Sequence, residues 1–288
     1  MRTIVQLSDL HFGAIIDATL DPLIDKVSAL APDLVIISGD LTQRAREEQY
    51  ADARRYLQRM PGPLLVVPGN HDVPLYDVFR RFVSPLGRYR KYITDDLSPH
   101  FIDEEIAVVG INTARSLVFK GGSISRRQLS EAVAKFEGLG GSQARIVVTH
   151  HPFDIPEGLS GVEVVGGAQR AMDAFEGCAV DLFLSGHIHL VHMSSAARYR
   201  PGYNATILQA GTATSTRARR ESNSFFIFQV GDTSITCETQ SWNPDTRRFE
   251  LLRTNRFERV SGRPVTMAGS AASASNSGSN TAAGQHRP

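Results

Sequence analysis

The sequence predicts an α/β protein with a layered core. Two features carry this assignment. The first half alternates short apolar runs with longer stretches of helical period, and after Gly186 the texture changes to strands without helices, so a second sheet is expected. At 288 residues, 41% hydrophobic and 21% charged, the chain can bury a large core as one domain or as one domain plus an extension.

The elements follow in order. Thr3 to Leu7 reads as a strand, and Asp21-Pro22 offers an N-cap and a first-turn proline for a helix running to about Leu30. Leu34 to Ser38 is the next strand. Arg44 to Met60 carries apolar residues at helical spacing, and Pro61-Gly62-Pro63 stops that helix before the strand Leu64 to Val67. Ile106 to Ile111, Arg145 to Thr149 and Asp181 to Ser185 are further strands. Between them, the capping-box pattern Ser125-Arg126-Arg127-Gln128 opens a helix to about Phe136, and Ala168 to Phe175 reads as a short helix. The late strands are Thr206 to Gln209, Phe225 to Val230, Ser234 to Gln240 and Phe249 to Arg253. From Ser261 to Pro288 the chain is Ser, Ala, Gly and Asn with almost nothing to bury, so it cannot offset its ordering entropy. The expected organisation is a domain over 1–260 and a disordered low-complexity tail over 261–288.

Composition excludes several function classes. The net charge of +1, from 31 basic and 30 acidic residues, gives no basic field for nucleic acid and no acidic excess for disorder. Cys178 and Cys237 are too few for a disulfide framework, and MRTIVQLSDLH enters a strand without a signal-peptide apolar region, so a reducing, cytoplasmic setting is expected. No apolar stretch approaches the roughly 18 residues of a membrane span, so the protein is expected to be soluble.

Five strands end in the same chemistry. Thr3–Leu7 is followed by Asp9-Leu10-His11, LVIIS by Gly39-Asp40, and LLVVP by Gly69-Asn70-His71-Asp72; RIVVT is followed by His150-His151-Pro152, and DLFLS by Gly186-His187-Ile188-His189. The C-terminal edge is where open α/β sheets place their sites. A lone D-x-H or G-D at such an end is usually a turn or a cap, whereas five in order are not. His100, His192 and His286 fall outside the pattern and read as surface or loop histidines. Two aspartates, one asparagine and four histidines make an oxygen and nitrogen shell without thiolate, suited to iron, manganese, zinc or nickel rather than calcium. Seven ligands are too many for one ion. They suit two ions about 3.5–4 Å apart with a bridging carboxylate, an arrangement that clamps the attacking and leaving oxygens of a displacement at phosphorus.

Asp9-Leu10-His11, Gly39-Asp40, Gly69-Asn70-His71-Asp72, His150 and Gly186-His187-Ile188-His189 resemble the ordered blocks of the calcineurin-like metallophosphoesterases, over roughly Arg2 to Val230. The resemblance implies a four-layer α/β/β/α sandwich of two mixed sheets flanked by helices, with 1–260 as the catalytic domain. It implies that Asp9, His11 and His189 hold one metal, that Asn70, His150 and His187 hold a second, and that Asp40 bridges them. Manganese or iron is implied first, with zinc as an option. His71 is implied as the catalytic residue, stabilising charge or protonating the leaving oxygen of a substrate attacked by a metal-bridged hydroxide, with Asp72 orienting it.

Within the family, GDLTQRA and GNHD fit poorly with serine/threonine protein phosphatases, and Gln43 stands where purple acid phosphatases carry tyrosine. GDLT, His150-His151-Pro152 and GTATSTRARRESNSFFIF are most similar to class III cyclic nucleotide phosphodiesterases, which implies a phosphodiester substrate with 3′,5′-cyclic AMP as the best single choice. Related sequences hydrolyse glycerophosphodiesters or nucleotide-sugar pyrophosphates. Relatives are often homodimers, but no interface is legible here. Two other classes share this fold or chemistry. A binding module like the retromer scaffold subunit is expected to have lost the histidine that stands here as His71. A nuclease would want a basic groove to which Arg217, Arg219 and Arg220 could belong, yet a three-arginine loop is more often a solvated face, and these arginines could equally meet a substrate phosphate.

Overall fold

The computed structural model describes residues 1–116, 121–218 and 221–260. Residues 117–120, Arg219, Arg220 and the Ser/Ala-rich segment 261–288 lie outside the described residues, so the expected tail does too.

The chain runs β1 (Arg2–Leu7), α1 (Asp17–Leu30), β2 (Leu34–Ser38), α2 (Glu47–Leu57), β3 (Leu64–Val67), α3 (Val78–Val83), α4 (Gly87–Tyr92), β4 (His100–Ile102) and β5 (Ile106–Gly110). It continues α5 (Arg126–Ala134), β6 (Ala144–Val148), α6 (Ala168–Gly177), β7 (Leu182–Ser185), β8 (His192–Ser195), β9 (Thr206–Gln209), β10 (Ser224–Val230), β11 (Ser234–Asn243) and β12 (Arg248–Glu258).

Two six-stranded mixed sheets result, in the orders β12-β11-β10-β1-β2-β3 and β4-β5-β6-β7-β9-β8. The parallel strands are buried on both faces, which is why they read as continuous apolar runs. On β2, Leu34 and Ile36 face the second sheet, while Val35 and Ile37 face α1 and α2. On β6, Ile146 and Val148 meet the first sheet and Val147 packs toward α5 and α6. The period-2 side chains therefore build three apolar layers between four structural ones, the expected α/β/β/α sandwich. Truncating a residue such as Ile36, which has no exposed surface, is expected to cost about 2–5 kcal/mol.

Four expectations change. The strands after Gly186 do not form a sheet of their own: β9 adds parallel to β7 and β8 antiparallel to β9, whereas β10 pairs antiparallel with β1 and leads into β11 and β12. Apolar alternation shows that a strand is half-buried but not which open sheet edge receives it. The first helix starts at Asp17, with Pro22 inside it, because burial of Thr19, Leu23, Ile24 and Val27 outweighs the cap chemistry of Asp21-Pro22. The second helix is shorter than Arg44–Met60: Ala45 is left-handed and the Gln49 side chain accepts from the Arg44 and Arg46 N–H groups, fixing the start at Glu47. The capping box at Ser125 is present, its hydroxyl accepting from the Gln128 N–H. His192 is not a loop residue; it lies on β8 with Nε2 3.1 Å from the buried Asp154. Among the described residues no helix is long and apolar enough to cross a membrane.

Candidate metal centre

The turns after β1, β2 and β3 meet those after β6 and β7 across the gap between the sheets. Asp9, His11, Asp40, His187 and His189 all take left-handed backbone angles, with φ from +52° to +77°. That conformation costs an L-residue about 1–2 kcal/mol and concentrates at functional sites. Neighbouring turns hold it in place: the Asp9 N–H donates to the Gly39 carbonyl and the His11 N–H to the Asp40 carbonyl. Two motif glycines are required by close approach. A Cβ on Gly69 would collide with Asp40 Oδ1, and one on Gly186 with Ser8 Oγ and Asp9 Oδ2.

The seven residues singled out in the sequence converge in two groups that share Asp40. In the first, Asp9 Oδ1 lies 3.0 Å from His189 Nε2 and 3.5 Å from His11 Nε2, and the two imidazole nitrogens are 3.1 Å apart. In the second, His150 Nε2 lies 3.1 Å from Asn70 Oδ1 and 3.3 Å from His187 Nδ1. Asp40 reaches both, with Oδ2 3.6 Å from His11 Nε2 and Oδ1 3.4 Å from His150 Nε2.

The donor set fits metal ions. His189 Nδ1 donates to the Arg217 carbonyl and His150 Nδ1 to the Ser38 carbonyl, which leaves the Nε2 lone pair of each aimed into the centre. Ser8 Oγ and the His187 N–H occupy Asp9 Oδ2, and buried Asp9 Oδ1 meets only the imidazole nitrogens of the centre among the described residues. Acceptors converging at 3.0–3.6 Å repel one another unless a cation or a shared proton lies between them. These spacings match the edges of coordination shells with bonds of about 2.1 Å.

Electrostatics follow from burial and mutual contact. Burial would raise the Asp9 and Asp40 carboxyls, but the surrounding imidazoles, His189 for Asp9 and His150 for Asp40, hold both well below the usual carboxylate range. Burial pushes His187 down to about 3 and lowers His11, so these imidazoles are lone-pair donors. Burial also works against a proton on His150, yet the Asp40 carboxylate outweighs it and raises His150 to about 9.

His71 stands beside the centre. Its Nδ1 donates to the Gln43 carbonyl at 2.8 Å, and its Nε2 accepts from Arg217 Nη1 at 2.8 Å. Asp72 does not orient the His71 ring as the sequence suggested. Its carboxylate turns back to accept from the N–H groups of Leu41, Thr42 and Gly69 and from the Thr42 hydroxyl, because the 3-10 turn Asn70–Asp72 points consecutive side chains apart. Asp72 therefore fastens the turn carrying Asp40 to the turn carrying Asn70 and His71. Burial and the nearby Asp40 push its carboxyl up to about 7, although all four contacts favour the carboxylate.

Two residues were not assigned from the sequence. His151 lies behind the second group, its ring 4.8 Å from that of His187 and its Nδ1 2.7 Å from Thr113 Oγ1. The doubled histidine in His150-His151-Pro152 was the only sign of it. Arg217 reaches His71 from nearly 150 positions away.

A cleft of about 790 Å³ opens over the centre. Asp40, Asn70, His71, His187 and His189 form its floor, Arg44, Arg81, Arg217 and Glu163 its polar walls, and Val73, Leu75 and Val162 its apolar rim.

Comparison with known proteins agrees with this geometry. A glycerophosphodiester phosphodiesterase, GpdQ, of Enterobacter lignolyticus is 36% identical over 83 residues, covering 26% of this chain and 30% of that protein. A "Probable cyclic nucleotide phosphodiesterase" of Ruthia magnifica subsp. Calyptogena magnifica is 25% identical over 163 residues, covering 52% of this chain and 62% of that protein. These matches span less than two thirds of either relative. The crystal structure of a dimetal phosphatase from Danio rerio superposes with a TM-score of 0.64 over 90% of this chain and 99% of that one, at 13% identity, which shows a shared fold. The family model for calcineurin-like phosphoesterase matches residues 2–191, a span that holds all five motif turns, and the chain belongs to that family.

Proposed function

We propose that the chain is a metal-dependent hydrolase of phosphodiesters. The carrying observation is the divided carboxylate of Asp40, which presents one oxygen to each of two converging groups. In this reading Asp9, His11, His189 and one Asp40 oxygen hold the first ion, and Asn70, His150, His187 and the other Asp40 oxygen hold the second. Manganese and iron suit this shell best, with zinc as the further candidate. Two such ions supply Lewis-acid polarisation of the phosphoryl group and an activated water.

The chain's own residues do the remaining work. Asp72 and the Ser8–Asp9 contact hold the ligand turns rigid. Three arginines in the cleft wall suit an anionic substrate, and its volume suits a nucleotide-sized one. His71 faces the leaving oxygen through Nε2, because Nδ1 is committed to Gln43. Serving as an acid would require Nε2 to carry a proton and so to part from Arg217.

A 3′,5′-cyclic nucleotide is the preferred substrate in this reading, supported by the GDLT and His150-His151-Pro152 motifs and by the cyclic nucleotide phosphodiesterase name of a relative. Glycerophosphodiesters are the second reading, favoured by the other relative's name. A cytoplasmic setting belongs to the same proposal, Cys178 and Cys237 both being free thiols. A homodimer has no support in the single chain. The test is a panel assay of the manganese-loaded protein on cyclic AMP, bis(p-nitrophenyl) phosphate, glycerophosphodiesters and a simple monoester. Diesters are expected to be cleaved fastest; monoesters cleaved far faster than every diester would refute the phosphodiesterase reading.

A further inference from the structure

The segment from Gly211 to Arg217 ties its polar groups one after another to the loop that carries Asp9 and His11. The Ala213 N–H donates to the Ser8 carbonyl at 3.0 Å, Thr212 Oγ1 to Asp9 O at 2.6 Å and Thr214 Oγ1 to Leu10 O at 2.8 Å. Ser215 Oγ and the Thr216 N–H both donate to the Ala14 carbonyl, and the Ile16 N–H returns a bond to the Thr214 carbonyl. Thr212, Thr214 and Ser215 are buried. Hydroxyls satisfied this way turn a surface connection into a rigid arm.

Arg217 is the residue at the end of that arm. Its carbonyl accepts from His189 Nδ1 at 3.1 Å, its Nη1 donates to His71 Nε2 at 2.8 Å, and its side chain lines the cleft over Asp40 and Asn70. One residue thus orients an imidazole of the first group with its backbone and meets His71 with its guanidinium.

We propose that Arg217 is a substrate-binding residue, whose guanidinium meets a non-bridging phosphoryl oxygen above the centre and hands His71 to the leaving side of the same group. This rests on the phosphoesterase reading. A planar guanidinium carries five N–H donors in a fixed fork, so it can exchange its contact to His71 Nε2 for a paired contact to phosphate and leave that nitrogen to the leaving oxygen. Charge on the non-bridging oxygens must be met during phosphoryl transfer, and a pre-oriented cation does so without reorganisation. The ladder of Thr212, Thr214 and Ser215 supplies that orientation.

The test uses the full chain loaded with manganese, with Arg217→Ala and Arg217→Lys variants. Neither substitution alters the backbone carbonyl that holds His189, so both variants are expected to keep wild-type metal content. Inorganic phosphate, titrated by calorimetry, is expected to bind Arg217→Ala at least about tenfold more weakly than wild type. The kcat/KM for bis(p-nitrophenyl) phosphate is expected to fall on the order of 10²–10³-fold, with Arg217→Lys intermediate because it keeps the charge and loses the fork. Equal phosphate affinity and equal kcat/KM in Arg217→Ala and wild type would overturn the proposal, as would loss of metal in both variants, which would make Arg217 a support of the centre alone. If phosphate binding depends on Arg217 while no phosphodiester is cleaved, the hydrolase reading fails and only the phosphate contact of Arg217 stands; if diesters are cleaved equally well by wild type and Arg217→Ala, the hydrolase reading stands and this inference fails.

Discussion

Asp40 and His150 face each other 3.4 Å apart, the carboxylate from the turn after β2 and the imidazole from the turn after β6. The contact joins the two sheets at the point where both groups of acceptors meet. Without a metal, the Asp40 charge keeps a proton on His150 up to about pH 9, above the usual imidazole value.

That proton has opposite consequences for stability and for metal binding. In metal-free protein the raised His150 contributes stability that is fully present below about pH 6.5 and is lost as pH rises through about 9. An ion at the second position needs the lone pair, so binding releases the proton and strengthens as pH rises toward 9, about tenfold per unit for each proton released. Calorimetry in buffers of different ionisation enthalpy is expected to show proton release on manganese binding at pH 7. Affinity independent of pH between 6 and 8 would contradict it.

Asp72→Asn is expected to destabilise the loaded protein by at least about 2 kcal/mol, because the amide aims its own N–H₂ at donors that now bond a carboxylate. Denaturant unfolding reads this directly. A near-zero change would mean that the Asp40 turn does not depend on Asp72.

Ending the chain at Val260 is expected to leave folding and turnover unchanged, since the Val260 N–H still donates to Asp181 Oδ1 at 2.6 Å and Arg259 Nε stays 3.7 Å from Asp181 Oδ2. Ending it before Arg259 removes both contacts and is expected to lower the melting temperature. Insolubility of the 1–260 protein would show that 261–288 contributes to packing.

Iron-loaded protein is expected to lack the visible band of a tyrosinate ligand, because Gln43 occupies that position and its carbonyl is engaged by His71. A strong purple absorbance would contradict the ligand set.

Much of this centre was legible because its chemistry sits on the regular part of the fold. Parallel strands must be apolar on both faces, so Asp9, Asp40, Asn70, His150 and His187 stood out at their ends, and the five-fold recurrence made the pattern visible without coordinates. Asp72 was misread because adjacency in sequence to His71 suggested contact, whereas the tight turn sends its side chain back toward Leu41 and Thr42. Arg217 stayed unresolved among three neighbouring arginines because its task depends on a long-range fold-back of 212–217 onto 8–16, which leaves no local periodicity. The distribution of β8 to β12 between two sheets was hidden for the same reason. Short α3 and α4 were missed because six residues are too few to show a helical period.

The central claim is that Asp40 joins two metal positions into one hydrolytic centre. The most direct measurement is metal content and turnover on the same samples of wild type and Asp40→Ala. Wild type is expected to hold two ions per chain and to hydrolyse bis(p-nitrophenyl) phosphate and cyclic AMP with manganese, and Asp40→Ala is expected to lose ions from both positions together with all detectable turnover. A fully active metal-free wild type, or an Asp40→Ala protein that keeps its turnover, would contradict it.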